Sequence, residues 1–155
     1  MAHSKLLVGR VLTLSWRTPE HDDLVSIVEE LRRAEGALGK RLLYLSVIGP
    51  KALPQGAVRD ELVGFYRDIL AHCDSMHIVI EGNEFEMSIK RSVIANVLLV
   101  VPARGRVFIE NSLERVLALS PIQVRGELTA ATRTASERKH FDFARLDTST
   151  PPPAR

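Results

Sequence analysis

Cysteine is almost missing from this sequence: Cys73 is the single one in 155 residues. An internal disulfide is therefore impossible, and so is a thiolate-rich metal site. Such usage fits a reducing, cytoplasmic setting. Aromatic residues are scarce, at 5% of the chain, so the core has to be built mainly from Leu, Val and Ile. Long apolar runs are lacking as well. The most apolar stretch, Val93 to Val101, is interrupted by Asn96 and closed by Pro102, well short of the ~20 residues a membrane span needs. Met1 to Leu7 shows no apolar segment ahead of a small-residue cleavage site, so no secretory signal is expected.

Charge of one sign is also lacking. The net charge is +2; residues 1–121 are balanced, and the basic excess falls in residues 122–155. A nucleic-acid binder should carry a basic stripe on its folded part. None is visible, so no nucleic-acid partner is expected. No G-x-S-x-G elbow, Walker-type loop or G-x-G-x-x-G turn occurs. His3, His21 and His140 are scattered without ligand spacing. His72 and Cys73 are neighbours whose side chains would diverge by about 100° on a helix, which argues against a dyad. His77 alternates with Met76 and Ile78 and reads as a packed strand residue. The sequence thus predicts no cofactor, no tight metal site and no enzymatic centre.

What is present is a regular alternation. Ser4 to Val8 and Val11 to Trp16 are strand-like, with Gly9-Arg10 suiting a tight hairpin turn. Thr18-Pro19-Glu20 reads as a helix start, and Leu24, Ile27, Val28 and Leu31 mark its buried face. Gly36 and Gly39 end it. Leu42 to Ile48 is nearly all apolar, the pattern of a strand buried on both faces. Breakers fill Gly49 to Gly56. A second helix follows over about Val58 to Cys73, then a strand at Met76 to Ile80 and a third helix over about Phe85 to Val101. Val107 to Glu110 reads as the last strand, and Asn111 or Ser112 caps a short helix closed by Pro121. This order predicts an α/β fold: a small mixed, mostly parallel sheet with an N-terminal β-hairpin and about four helices.

After Pro121 the periodicity fades. Residues 1–121 are expected to form the domain, and 122–155 a mostly disordered tail. Within it, Glu137 to Leu146 allows a short helix anchored by Phe141, Phe143 and Leu146.

Two surfaces stand out. Strands ending in Ile80-Glu81-Gly82-Asn83-Glu84 and Ile109-Glu110-Asn111-Ser112 would, if adjacent, gather Glu81, Asn83, Glu84, Glu110 and Asn111 into a polar rim at the carboxyl ends of the strands, where open α/β sheets bind ligands. Such carboxylates either hold Mg²⁺ or act as acid and base, or simply complement helix starts. The third helix is apolar over a wider arc than one sheet face requires. Ile94, Leu98, Leu99 and Val101 are the candidate interface there.

The element order over about Lys5 to Ser120 resembles the STAS-like group (sulfate transporter and anti-sigma-factor antagonist domains) in its bacterial stand-alone form. Val11-Leu12-Thr13-Leu14-Ser15-Trp16 and Val107-Phe108-Ile109-Glu110 carry the resemblance. It implies a small sheet packed on helices that binds proteins or small ligands and does no catalysis. The phospho-accepting turn of such antagonists should lie in Gly49 to Gly56, which has no Ser, Thr or Asp, so no phosphorylation cycle is implied. The expectation is a non-enzymatic regulatory or scaffolding module, homodimeric, with a protein partner. A carrier of an apolar small molecule or lipid is the alternative, with its cleft between the third helix and the Gly49–Gly56 loop. A Mg²⁺-dependent enzyme at the acidic rim is the third.

Overall fold

Alternation in the first sixteen residues becomes a hairpin in the computed structural model. That structure describes residues 2–50, 52, 57–82, 88, 91–92, 94–96, 99 and 105–145, with the side chains of residues 57 and 59 excepted. Strands β1 (His3–Val8) and β2 (Val11–Trp16) pair antiparallel, Val8 opposite Val11. Gly9 in the turn has φ 58°, a region that glycine enters without a Cβ penalty.

Helix α1 (His21–Leu38) follows. Thr18 and Pro19, read from the sequence as cap and first helical residue, precede it instead. Its start is set by Asp23, one turn in. Asp23 Oδ2 accepts the Glu20 N–H at 2.9 Å, and Oδ1 accepts the Ala2 N–H at 3.1 Å and lies 2.5 Å from His3 Nδ1. This buried carboxylate both caps the helix and pins edge strand β1 to it. Gly39, at φ 66°, closes the helix by donating its N–H to Glu35 O.

Strand β3 (Leu42–Ile48), helix α2 (Ala57–His72) and strand β4 (Cys73–Ile80) come next. Helix and strand abut with no loop, so β4 begins three residues earlier than the sequence predicted. The last carbonyls of α2 would be orphaned by so abrupt an exit. Two arginines satisfy them: Arg41 and Arg106 each donate from Nη2 to Leu70 O and Cys73 O, at 2.6 to 2.9 Å. Residues 88, 91–92 and 94–96 are helical. Strand β5 (Val107–Glu110) completes a sheet of order β1-β2-β3-β4-β5, parallel from β2 onward.

Each parallel step advances one strand in the same direction. Right-handed crossovers then all fall on one side of the sheet. On that side Leu12, Leu14, Trp16, Leu42, Tyr44, Met76, Ile78 and Ile80 form one core with α1 and α2. The other side is also buried, with Val11, Leu43, Leu45, Val47 and Val79 forming a second core beside the buried polar residues Thr13, Ser15, Ser75 and His77.

What covers that second side is the segment expected to be a disordered tail, and here the sequence expectation fails. After the short helix α3 (Leu113–Leu119), residues Ile122–Glu137 form a 16-residue helix, α4, and Asp142–Arg145 a last turn, α5. Leu128, Ala131, Ala135, Phe141 and Ala144 are buried on the sheet. The buried face of α4 is mostly alanine, which hydrophobic periodicity registers weakly, although alanine has the best helix propensity. The chain between Lys139 and Arg145 is held by polar contacts too. Ser15 Oγ accepts the Ala144 N–H at 2.8 Å, and Arg17 Nε donates to Phe143 O at 3.0 Å while its guanidinium lies 4.0 Å over the Phe143 ring. Gly49 is required here: a Cβ on it would sit 1.7 Å from Ala144 O. The expected anchors Phe141 and Phe143 are therefore docked. Leu146 lies outside the described residues.

Candidate functional site

Strands β4 and β5 are neighbours, with Val79 opposite Glu110, so Glu81 and Glu110 do approach one rim. Each is matched by arginine. Glu81 accepts from Arg145 Nε at 3.0 and 3.1 Å. Glu110 Oε2 lies 3.3 Å from Arg115 Nε and 3.9 Å from Arg91 Nη2. Carboxylates so engaged brace α5 and α3 against the sheet, and a divalent cation would have to displace guanidinium groups to reach them. Among the described residues, no group of three or more His, Cys, Asp or Glu is placed to hold a metal ion. Asn111 is exposed, and the cap of α3 is Ser112, which accepts the Arg115 N–H at 3.2 Å. Asn83 and Glu84 lie outside the described residues.

The expected apolar interface divides. Ile94 is turned into the core, 4% exposed, whereas Leu99 is 83% exposed. Leu98 and Val101 lie outside the described residues. Deep burial thus accounts for one member of the surplus arc, and solvent for another.

Nucleophile candidates are structural. Cys73 is buried, and its thiol is pushed up to about 12 by burial, which removes the thiolate that reactivity needs. His77 is fully buried and stacked on Phe108, with ring centroids 5.1 Å apart. Its tautomer follows from its partners. Ser120 donates its hydroxyl hydrogen to Val116 O, so toward His77 Nδ1, at 2.8 Å, it can only accept. Nδ1 then carries the proton, and Nε2 accepts from Ser75 Oγ at 2.7 Å. Burial pushes this histidine down to about 4, so it stays neutral at ordinary pH.

Among the described residues, two concavities stand out. The first lies at the carboxyl ends of β2 and β3 and gathers the only tryptophan, both tyrosines and Phe65. Trp16 Nε1–H donates to Tyr44 Oη at 3.3 Å, and Phe65 packs edge-on to Trp16. Burial raises both phenols well above their usual range. Ala52 and Ile94 also line it, which is where the carrier alternative expected a cleft. Its free volume is about 40 Å³. A cavity that takes benzene measures about 150 Å³.

The second concavity is the groove between α1 and α2, with a free volume of about 440 Å³, in the ~300–1,000 Å³ range of ligand sites. Its floor is Leu24, Val25, Val28 and Phe65, and its walls carry Glu29, Asp60, Glu61 and Asp68 against Arg32. Val25 is 44% exposed. Gly64 lies in the middle, and a Cβ there would meet nothing within 4 Å. A mid-helix glycine costs about 0.5–1 kcal/mol relative to alanine, and no packing in the chain requires this one. His21 approaches Glu61 at 2.6 Å, and the hydrogen bond and charge of that carboxylate raise the imidazole's affinity for a proton.

Sequence reasoning placed Leu24 and Val28 on the buried face of the first helix. It missed the groove because a groove needs two helices side by side. The signal available was Gly64 inside an otherwise good helix, flanked by Asp60, Glu61 and Asp68. No helix among the described residues is long and apolar enough to cross a membrane. Compared with known proteins, the chain matches no family model, no curated protein and no solved structure.

Proposed function

We propose that this chain is a non-enzymatic protein-interaction module and that the groove between α1 and α2 is its recognition surface. The observation that carries the reading is the groove itself: an apolar floor ringed by carboxylates and left open at Gly64. Grooves between paired helices are a recurrent way to take a partner segment. The rim carboxylates at Glu81 and Glu110 are engaged by arginine, and the aromatic pocket, at about 40 Å³, is far smaller than the groove. Both facts weigh toward the module over the alternatives.

Gly64→Trp tests the reading. The position is exposed and helical, so tryptophan fills the groove without touching the core. Gly126→Trp on exposed α4 is the matched control, since a Cβ there also meets nothing. Purified full-length chains would be used as bait in extract of the native host, with bound proteins quantified by mass spectrometry. The expected result is at least one protein held by the native chain and the Gly126 variant and lost by the Gly64 variant, at unchanged melting temperature. Identical binding by all three would contradict the proposal.

A further inference from the structure

Resting on that reading, the geometry points to a particular kind of partner: we infer that the α1–α2 groove docks a cationic amphipathic helix from another protein. The charge argument comes first. The chain as a whole is basic, with pI ≈ 8.9, yet this groove sets four carboxylates against one guanidinium. Among the described residues, Glu61 is paired with His21, while Glu29, Asp60 and Asp68 have no ion pair within the chain. Acidic side chains brought together this way repel one another and hold a negative potential over the groove, which a partner of opposite sign relieves. Elsewhere on the surface the carboxylates of Glu30, Asp74, Glu81, Glu110 and Glu127 each meet a cation of the chain. Three carboxylates without an ion pair line this one groove.

Shape supplies the second argument. The lining runs from Leu24 to Arg32 on α1 and from Asp60 to Asp68 on α2, which at 1.5 Å per residue gives walls of roughly 12 Å. Such a groove accommodates about two turns of a partner helix laid along it. Gly64 lets its backbone approach. Leu24 and Phe65 belong both to the groove floor and to the wall of the aromatic pocket. A partner helix with an apolar stripe toward Val25 and Phe65 and lysine or arginine on its flanks fits both features.

The test uses the full-length protein and two synthetic helices with the same Leu/Ala stripe, one flanked by lysine and one by glutamate. Amide shifts of the ¹⁵N-labelled protein report where each binds, and calorimetry reports how tightly. The expected result is that the lysine helix shifts amides on α1 and α2 around Val25 and Gly64. It should weaken by tenfold or more, on the order expected for close charge pairs, in the Asp60→Lys, Asp68→Lys double variant, and weaken again as salt is raised. The glutamate helix should leave the groove untouched. Equal affinity for the charge-reversed variant, or lysine-helix shifts confined to another face, would overturn the inference. If the glutamate helix occupies the groove and Gly64→Trp expels it, the interaction-module reading stands and the cationic partner falls. If neither helix enters the groove, the cationic partner is likewise refuted, and the groove's role then rests on the bait comparison alone.

Discussion

The two faces of the sheet are both buried but are covered by different kinds of chain. One face is roofed by crossover helices, α1 and α2, that the strand order itself places there. The other is roofed by residues that come after the last strand, α3, α4 and the turn ending at Arg145. The first roof has large side chains, Leu24, Ile27, Leu31, Leu62, Phe65 and Ile69. The second relies on Leu128, Phe141 and small residues seated close to the sheet. The difference shows how a face can be part of the core while its cover looks like a tail.

The strongest way to break the comparison is to remove the second roof. A chain ending at Pro121 would expose Val11, Leu43, Leu45, Val47 and Val79 together. The loss should exceed the ~5–15 kcal/mol that holds an ordinary domain, so the truncated chain should lack a cooperative melting transition. A cooperative transition near that of the full chain would make the tail dispensable after all. A milder cut sharpens the same point. Leu128→Ala should cost about 2–5 kcal/mol in urea unfolding, whereas Leu119→Ala, at a site 56% exposed, should stay within about 0.5 kcal/mol. Similar values for both would mean that α4 is not packed.

The next effect is a pH dependence specific to the second face. Burial holds folded His77 at about 4, against ~6.5 in an unfolded chain. A depressed histidine means that the unfolded chain takes up its proton first as pH falls. The stabilising contribution is therefore complete above pH ~6.5 and is lost on descending toward pH 4, at up to about 3 kcal/mol. His77→Gln, compared with the native chain at pH 7 and near pH 4, should lack that part of the slope; parallel slopes would contradict it. The smallest effect belongs to the rim. Arg145→Ala removes a half-exposed pair with Glu81 and should cost below about 1 kcal/mol, with the change in amide exchange confined to residues near Arg145. A cost of several kcal/mol would make the rim a structural centre.

Much of the first face was legible in the sequence. Leu24, Ile27, Val28 and Leu31 announced α1, and the unbroken apolar run Leu42 to Ile48 announced a strand buried on both sides. That run also held the clue to the second face. A strand buried twice needs two roofs, and sequential right-handed crossovers provide only one. The cover had to come from the hairpin or from the residues after β5. Reading Ile122 onward by hydrophobic period alone hid this, because Ala131 and Ala135 do not stand out against Thr, Arg and Ser. The boundary at Cys73 was missed for a different reason: arginines from other parts of the chain, Arg41 and Arg106, make a loop-free junction possible. Of the expected site, the condition that the strands carrying Glu81 and Glu110 are neighbours is met. Their arginine partners were not anticipated, since Arg145 lies 64 positions away from Glu81.

The groove proposed for recognition lies on the crossover roof, between α1 and α2. The most direct measurement places a photo-crosslinking amino acid at Val25 on α1 and, separately, at exposed Ala130 on α4, in the full chain expressed in its own host. The account expects a discrete crosslinked species from position 25, abolished when Gly64→Trp is added, and none from position 130. Crosslinks from position 130 alone, or from both positions regardless of Gly64, would contradict it.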